Sequence, residues 1–506
     1  MKILSVQQTR AADAYTVAHE GISSLQLMER AAAAFVRWFM LRFTQQQHGQ
    51  ISILCGTGNN GGDGLAVGRM LYEAGYTVQI FVVACAGRRS EDFAANLLRL
   101  QPYADIPVQE VQRAEDLPVF DSSEILIDAM LGSGLSRHIE ADSDLGQIVE
   151  YINECGNLVV AIDIPTGVST EGRTLGVAIR AAYTCTFEYP KFSFLFPETY
   201  QYVGEFSIEP IGLSKNFIDE AQTPNRYIIR RTVQRFYRPR HKFAHKGVFG
   251  HALLIMGSYG KMGAAILATK ACLRAGAGLV TVHVPTCGYD IMQATVPEAM
   301  VSLDEDAHIF TRIYDIQKYS TIALGCGLST KNKTRNALCY VLKNITAPVV
   351  LDADALNILG QSPDWLELMP KNSILTPHLK EFERLFGTSE NDFERNELQR
   401  QKAKEFGVYV ILKGANTCVA TPQGECYFNS TGNPGMGTAG SGDVLTGILS
   451  GLLAQHYSPL EACILGVYLH GLAGDFAAAQ KGQEALIASD ITEFLGEAFR
   501  YVARQE

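Results

Sequence analysis

Continuous apolar runs alternate with helix-like stretches along this chain, and they form two separate series. The runs of the first series cover residues 51–56, 77–84, 124–131 and 157–165. The runs of the second series cover residues 251–257, 278–285, 321–327, 347–354, 373–378 and 408–414. Short apolar runs without polar alternation are typical of strands buried on both faces of a parallel sheet, with helices covering those faces. The sequence therefore predicts an α/β fold with two three-layer α/β/α domains.

A polar stretch without this periodicity, residues 214–225, separates the two series. The chain has 506 residues, which is more than one hydrophobic core usually supports, so two large domains are expected. We predict a first domain at residues 1–215, a linker at residues 216–228 and a second domain at residues 229–506.

Charge and cysteine content argue against several functional classes. The formal net charge is −10, which disfavours a nucleic-acid partner. The 11 cysteines include no C-x-x-C pair, so neither a disulfide framework nor a zinc site is indicated, and a reducing cytoplasm fits best. No uninterrupted apolar run reaches the roughly 18 residues that a membrane-spanning helix needs, and the N-terminus has no apolar signal segment. We expect a cytoplasmic protein without nucleic-acid or membrane partners.

The stretch GNPGMGTAGSGDVLTG, residues 432–447, runs directly into an apolar, helix-like segment. Glycines let the backbone approach a ligand closely, and the start of a helix attracts anions through its free N–H groups and its dipole. Asp443 lies within this predicted anion site, where its carboxylate would be repelled unless it binds a proton or a cation. We therefore interpret Asp443 as a general base or a metal partner. The alternative is a glycine-rich turn before a core helix.

A second glycine-rich loop, CGTGNNGGDG at residues 55–64, follows the first strand. Its glycines fit the G-x-G-x-x-G pattern of dinucleotide sites, but the next strand does not end in the acid that would hold a ribose hydroxyl. We therefore predict a loop that binds polar hydroxyls, in which Asn60 and Asp63 chelate a cation or move a proton. The alternative is an asparagine–glycine turn.

Two further acids, Asp128 and Asp163, close buried strands. An acid at the carboxyl end of a parallel strand points into the ligand crevice, where burial raises its pKa unless a cation or a donor compensates. Together, Asn60, Asp128 and Thr166 could supply oxygen ligands to a monovalent or divalent cation. Taken singly, each could instead be a helix cap or a turn residue.

The motifs NNGGDG, DAMLGSGLSR and DIPTG, with the later pair Pro190-Lys191, resemble the epimerase domain of the NAD(P)H-hydrate repair enzymes. The resemblance implies a Rossmann-like domain in which Asn60, Asp128 and Thr166 ligate potassium. The family usually has serine where Thr166 stands, and the hydroxyl is kept. It also implies a catalytic role for Asp163 as a candidate base. The implied substrate contacts are Asn59, Asn60, Gly61, Gly62, Asp63, Gly132, Ser133, Gly134, Leu135, Ser136, Arg137, His138 and Asp163.

Six ordered motifs of the second half resemble the partner enzyme, the nucleotide-dependent NAD(P)H-hydrate dehydratase of the ribokinase-like superfamily. They are HKGVFGHALLIMGS, GAAILATKACLRAGAGLVTV, DADAL, LTPH, LKGANT and the stretch containing Asp443. The implied adenine-nucleotide contacts are Lys413, Gly414, Ala415, Asn416, Thr417 and Gly442, and the implied substrate contacts are Ala264 or Ala265, Gly327, His378 and Asp443. Two positions depart from the family pattern: Cys326 replaces a usual proline, and Leu379-Lys380 replaces a proline–glycine pair.

The two resemblances together imply a bifunctional enzyme. The first domain would interconvert the R and S forms of NAD(P)H hydrate. The second would dehydrate the S form with ADP and magnesium, by phosphorylating the ring hydroxyl that Asp443 deprotonates and then eliminating phosphate. We also expect a homo-oligomer. Two alternatives stay open: a ribokinase-like kinase of a vitamin-precursor alcohol with a regulatory first domain, and a first domain that only binds a ligand or a partner.

Overall fold

The computed structural model describes residues 1–46, 50–84, 89–134 and 137–504. The chain divides into two compact units, Lys2–Asn225 and Arg226–Glu506, the second together with Met1. We refer to them as the N-terminal unit and the C-terminal unit.

The N-terminal unit is built on a seven-stranded sheet whose strands are all parallel, in the order β3-β2-β1-β4-β5-β6-β7. Its strands are β1 Gln50–Cys55, β2 Thr77–Val83, β3 Val108–Val111, β4 Ile125–Ala129, β5 Leu158–Ile162, β6 Tyr183–Phe187 and β7 Glu205–Glu209. Its helices are α1 Val6–Glu20, α2 Ser24–Arg42, α3 Asn59–Glu73, α4 Glu91–Leu100, α5 Asp144–Glu154, α6 Pro197–Val203 and α7 Lys215–Glu220.

Both faces of this sheet are buried, as the apolar runs predict. Along β1, Ile51 and Ile53 belong to the core that contains α2, whereas Leu54 belongs to the core on the opposite face. Successive side chains of a strand point to opposite faces, so a strand with apolar residues at every position must be covered on both sides. This is the physical basis of the three layers.

The C-terminal unit contains a ten-stranded sheet in the order β11-β10-β9-β12-β13-β14-β15-β16-β17-β8. Its strands are β8 Asn225–Ile228, β9 His251–Ile255, β10 Leu279–Val284, β11 Met300–Leu303, β12 Thr321–Leu324, β13 Val349–Leu351, β14 Ile374–Leu375, β15 Tyr409–Leu412, β16 Cys418–Ala420 and β17 Cys426–Asn429. Its helices are α8 Arg230–Gln234, α9 Met262–Arg274, α10 Tyr289–Thr295, α11 Asn332–Asn344, α12 Asp354–Gly360, α13 Leu379–Phe386, α14 Asp392–Phe406, α15 Ser441–Ala454, α16 Pro459–Lys481 and α17 Ala488–Ala503.

In the order across the sheet, the first seven strands, from β11 at the edge to β15, are parallel to one another. β16 pairs antiparallel with both β15 and β17. The predicted α/β fold with two three-layer domains is confirmed. Every predicted strand is present, while seven strands of three to five residues, β3, β6, β7, β8, β11, β16 and β17, were not predicted. Residues 216–228, the predicted linker, contain most of α7 and all of β8.

Helices α15 and α16 form much of the C-terminal core. α15 packs closely on α9, since a Cβ at Gly447 would lie 2.2 Å from the backbone oxygen of Ala268. By length and composition α16 could cross a membrane, but 72% of its apolar window is buried inside the unit, as in a core helix of a soluble protein.

Candidate active sites

A cavity of about 1050 Å³ lies at the carboxyl ends of the central strands of the N-terminal unit. Its walls come from the loops that follow β1, β4, β5 and β6, and from α1 and α2. In open parallel sheets this edge is where ligands bind. Asn60, Asp63 and Asp163, three of the predicted site residues, line this cavity.

The glycines of the first loop allow α3 to approach the sheet. A Cβ at Gly61 would lie 1.7 Å from the backbone oxygen of Gly56, and one at Gly64 would lie 2.7 Å from Sγ of Cys55. Asn59 and Asn60 open the helix, and Asn60 is buried with no hydrogen-bond partner for its Nδ2 among the described residues. Because a buried polar group without a partner is costly, the Asn60 amide is suited to bind a ligand.

Asp128 and Thr166 are in direct contact with each other, and neither is among the described residues that line the cavity. The backbone N–H of Thr166 donates to Oδ2 of Asp128 at 2.6 Å, and its hydroxyl donates to Oδ1 at 2.7 Å. Burial raises the pKa of Asp128 to about 6, although the donors from Thr166 oppose this rise. The carboxylate thus lacks a positive charge that would fully compensate its burial.

Asp163 forms an ion pair with Lys191 at the cavity wall. Nζ of Lys191, whose side chain is only 4% exposed, lies 2.7 Å from Oδ1 of Asp163. The same oxygen accepts from the hydroxyl of Thr186 at 3.1 Å and from the N–H of Phe187 at 3.2 Å. Asp163 has a φ of 64°, a left-handed conformation that aspartate adopts more readily than most residues.

The loop after β4 contributes Gly132, Ser133, Gly134 and Arg137 to the cavity wall. Leu135 and Ser136, also predicted to contact the substrate, lie outside the described residues. His138 is not among the described cavity residues, and its Nε2 lies 2.6 Å from Oε1 of Glu140. The structure therefore brings together most of the predicted contacts of this loop but turns His138 toward Glu140.

Helix α1 supplies cavity residues that sequence reasoning missed, among them Arg10 and Asp13. Burial, and then the charge of Asp163, raise the pKa of Asp13 to about 6. Burial and the same neighbour also raise the pKa of Asp63 well above its usual value. α1 is mostly polar and has no strong apolar stripe, so the sequence carries little signal that one face of it meets the sheet edge.

In the C-terminal unit, Asp443 lies in the first turn of α15. The helix begins after Gly440, whose φ of 93° is left-handed, and Asp443 is half-buried. Burial raises the pKa of Asp443 to about 6, and a hydrogen bond with the Cys326 thiol works in the opposite direction. A carboxyl with this pKa can act as a base near neutral pH.

Two side chains of α16 hold the glycine-rich stretch before α15. Asp475 accepts from the N–H of Gly432 and from the side-chain amide of Asn433, both at 2.9 Å. Nε2 of His470 lies 3.0 Å from the backbone oxygen of Ser441, and burial lowers the pKa of His470 to about 4. The neutral imidazole therefore braces the start of α15 without adding charge.

Lys413 lies beside α15 and is anchored by a buried acid that the sequence did not single out. Its Nζ lies 3.0 Å from Oδ1 of Asp352, whose other oxygen accepts from the Thr446 hydroxyl at 2.8 Å. A Cβ at Gly442 would lie 3.1 Å from the Lys413 Nζ. Burial lowers the pKa of Lys413, but Asp352 and Glu381 outweigh it and raise the pKa, so the lysine stays cationic.

Cys326, Asp352 and Asp443 have side-chain atoms within 4.8 Å of one another. Such spacing suits a metal ion, but burial raises the pKa of the Cys326 thiol well above its usual value. Lys413 already supplies one positive charge to Asp352. The thiol acts here as a hydrogen-bond donor.

The other predicted substrate contacts of this unit lie beside the start of α9 and at the start of α13. A Cβ at Gly327, where φ is 64°, would lie 3.2 Å from Cβ of Ala264. Ala265 is fully buried in the core, so of the two alanines only Ala264 can face a ligand. The half-exposed His378 caps α13, accepting from the N–H of Lys380 at 3.1 Å through Nδ1.

The predicted nucleotide contacts Lys413 to Thr417 form the turn between β15 and β16. The Thr417 hydroxyl donates to the backbone oxygen of Gly414 at 2.9 Å and closes this turn. Gly414 and Ala415 are exposed, and a Cβ at Gly414 would meet no atom within 4 Å. The backbone of this turn is thus open to a ligand, while Asn416 is partly buried.

The fold and the two sites define a class of α/β protein that carries an epimerase-like sheet edge and a ribokinase-like unit in one chain. The C-terminal unit is similar to the crystal structure of a ribokinase-like superfamily protein from Enterococcus faecalis V583. That structure has a TM-score of 0.50 and 29% sequence identity, and the match covers 56% of this chain and 98% of that chain.

Two family profiles match the chain: "YjeF-related protein N-terminus" over residues 24–193, and "NAD(P)H-hydrate dehydratase" over residues 252–496. The bifunctional NAD(P)H-hydrate repair enzyme Nnr of Coxiella burnetii is 35% identical, covering 93% of this chain and 94% of that protein. Its counterpart from Moorella thermoacetica is 36% identical, covering 94% and 92%. The chain belongs to the family of bifunctional NAD(P)H-hydrate repair enzymes, and the resemblance indicated by its motifs is confirmed.

Proposed function

We propose that this protein repairs hydrated nicotinamide nucleotides in two steps. The N-terminal unit interconverts the R and S forms of NAD(P)H hydrate, and the C-terminal unit dehydrates the S form with ADP. The observation that carries this proposal is the presence, in one chain, of a strand-end cavity containing Asn60 and the Asp163–Lys191 pair and of an anion-binding helix start at Asp443. The names of its relatives agree with it.

The chemistry of the second step explains the residues around α15. Hydroxide is a poor leaving group, so the ring hydroxyl must first be activated. Asp443 takes the hydroxyl proton while the hydroxyl oxygen attacks the terminal phosphorus of ADP, which leaves AMP. The N–H groups at the start of α15 stabilise the charge on the transferred phosphoryl group. The electron pair of the ring nitrogen then expels phosphate, and loss of a proton from the neighbouring carbon restores the reduced ring.

ADP enters this site as its magnesium complex, so magnesium is part of the substrate. The cationic Lys413 lies beside Gly442 in the first turn of α15, where it can meet the phosphates. The open turn of Gly414 and Ala415 offers backbone groups to the rest of the nucleotide. Asp352 holds the lysine in place.

Potassium fits the N-terminal site through its donor set. Asp128 carries a negative charge, Thr166 a hydroxyl oxygen and the buried Asn60 a side-chain carbonyl oxygen. Because burial raises the pKa of Asp128 to about 6, a monovalent cation held by these three residues would supply the missing positive charge. When bound, it would stabilise the loops that carry Asn60 and Thr166.

Incubation of the protein with both epimers of hydrated NADH and with ADP–magnesium tests this function. We expect reduced-nicotinamide absorbance to return until both epimers are consumed, because one epimer feeds the other. Conversion of neither epimer, together with phosphorylation of a vitamin-precursor alcohol to a stable product, would instead support the ribokinase-like kinase alternative.

The proposed setting is the cytoplasm, as a homo-oligomer. The ten cysteines among the described residues are all free thiols, which agrees with a reducing compartment. Size-exclusion chromatography with light scattering tests the oligomeric state, and a monomer at micromolar concentration would contradict it.

A further inference from the structure

Helix α1 completes the N-terminal cavity, although it lies outside residues 24–193, the part of the chain that the N-terminal family profile matches. It places Thr9, Arg10 and Asp13 in the cavity wall, one turn apart or less along a single helix face. Asp13 is partly buried there and faces the acids and the lysine of the sheet edge.

Asp163, the predicted base, has one carboxylate oxygen held by three donors. Its Oδ1 accepts from Lys191, Thr186 and Phe187, so its charged form is held by three donors. The Asp163–Lys191 pair is therefore better suited to bind an oxygen of the substrate through the remaining N–H donors of the lysine.

A buried hydroxyl marks the same end of the cavity as a place for a polar ligand. Tyr189 lines the cavity and is only 1% exposed. Although Thr9 lies close, the Tyr189 hydroxyl has no hydrogen-bond partner of normal geometry among the described residues. Asp13 is one of the charges that act on this phenol. A polar ligand at this point would satisfy the Tyr189 hydroxyl and would contact Asp13.

We propose that Asp13 is the proton-transfer residue of the N-terminal site, an inference that rests on the proposed epimerase function. Its carboxylate takes the proton of the ring hydroxyl, and the electron pair left on the hydroxyl oxygen forms a C=O bond with the ring carbon that carries it. The bond from that carbon to the ring nitrogen breaks, its electron pair stays on nitrogen, and Asp13 returns the proton there. Rotation about the adjacent C–C bond exposes the other face of the aldehyde. Reversal of the same steps closes the ring with inverted configuration.

The assignment is tested by Asp13→Asn in the full-length protein without ADP, so that no epimer is dehydrated. One purified epimer of hydrated NADH is supplied and the appearance of the other is followed by chromatography, after subtraction of the spontaneous rate. We expect kcat to fall by roughly 10²- to 10⁴-fold with little change in KM. Glu20→Gln is the matched control: it removes the other acid of α1, which pairs with Arg30 on the surface, and should keep the parent's rate.

The parent protein separates failure of the function from failure of the assignment. If the parent does not interconvert the epimers, the proposed epimerase function is wrong. If the parent is active and the folded Asp13→Asn variant keeps the parent's kcat, or differs from the parent only in KM, Asp13 is not the proton-transfer residue.

The pH profile of the parent gives a test that needs no variant. Because the base must be ionised, the rate should fall as the pH drops through about 6, the pKa of Asp13. The groups that face Asp13 are Asp63 of α3, Asp163, Tyr189 and Lys191 of the sheet edge, and Arg10 of its own helix. Asp13→Glu keeps a carboxylate and should retain this acid limb at a reduced rate. A parent profile that is flat from about pH 5 to about pH 8, or an inactive but folded Asp13→Glu, would overturn the assignment.

Discussion

At the scale of single residues, burial sets the chemistry of both sites. It raises the pKa values of Asp13, Asp128 and Asp443 to about 6, because each carboxylate is removed from water with incomplete compensation. Asp163 and Asp352 differ in that a lysine ammonium lies within 3.0 Å of each. An ion pair with lysine thus distinguishes Asp163 and Asp352 from the three acids whose pKa values burial raises.

Asp443→Asn should abolish dehydration and leave epimerisation intact, because only the C-terminal site loses its base. In the parent, dehydration should fall as the pH drops through about 6, where Asp443 becomes protonated. The raised pKa also means that ionised Asp443 costs stability at neutral pH, so the substitution should not lower the unfolding midpoint. Assays of each epimer with ADP, and thermal unfolding, measure these effects. Loss of both activities in a folded variant would contradict this division of roles.

Cys326→Ala should shift the acid limb of dehydration to higher pH. The Cys326 thiol donates to Oδ2 of Asp352 at 3.8 Å and also lowers the pKa of Asp443, and alanine removes this thiol. Cys326→Ser is the control. It keeps a hydrogen-bond donor in the same place, so the acid limb of its pH–rate profile should stay near that of the parent. pH–rate profiles of the three proteins give the answer. An alanine variant with the parent's profile would show that the thiol does not tune Asp443.

At the scale of elements, helix starts and strand ends build the sites, and glycines permit the necessary approaches. Gly64 lets α3 lie against Cys55, and Gly447 lets α15 lie against α9. Gly440 has a different role, because its φ of 93° sets the direction in which the chain enters α15. Gly64 and Gly447 are required because a side chain would not fit, whereas Gly440 is required because of its backbone conformation.

Gly440→Ala should destabilise the C-terminal unit by about 1–3 kcal/mol, since it strains a left-handed position. Its Cβ would also lie 2.5 Å from Cδ1 of Leu267, so the start of α15 should move and dehydration should weaken. Gly496→Ala in α17 is the matched control: its Cβ meets no atom within 4 Å, so stability should stay equal or rise by up to about 1 kcal/mol. Urea unfolding and both activity assays measure the difference. Equal stability of the two variants would contradict this role of Gly440.

At the scale of the whole molecule, each unit has its own sheet and its own apolar core. Separate cores are what independently stable domains need. The division also explains how two different reactions can be supported without one site constraining the geometry of the other.

Phe93→Ala should abolish epimerisation at elevated temperature while dehydration of the S epimer persists. Phe93 is fully buried in the N-terminal core, and removal of such a ring typically costs about 3–5 kcal/mol. Phe428→Ala, in the C-terminal unit, is the reciprocal variant and should impair dehydration first. Scanning calorimetry with both assays reports which unit unfolds. Simultaneous loss of both activities in each variant would show that the units unfold as one.

The sequence by itself determined the two α/β units, the helix start at Asp443 and the convergence of Asn60, Asp128 and Asp163 on one sheet edge. These follow from local rules: apolar runs bury both faces of a strand, glycines open helix starts, and parallel strands end at the same edge. Only the tertiary structure decided that α1 brings Asp13 to this edge, that Asp352 anchors Lys413, and that Ala264 rather than Ala265 is partly exposed. The reason is that these contacts join residues far apart along the chain, so no local pattern encodes them.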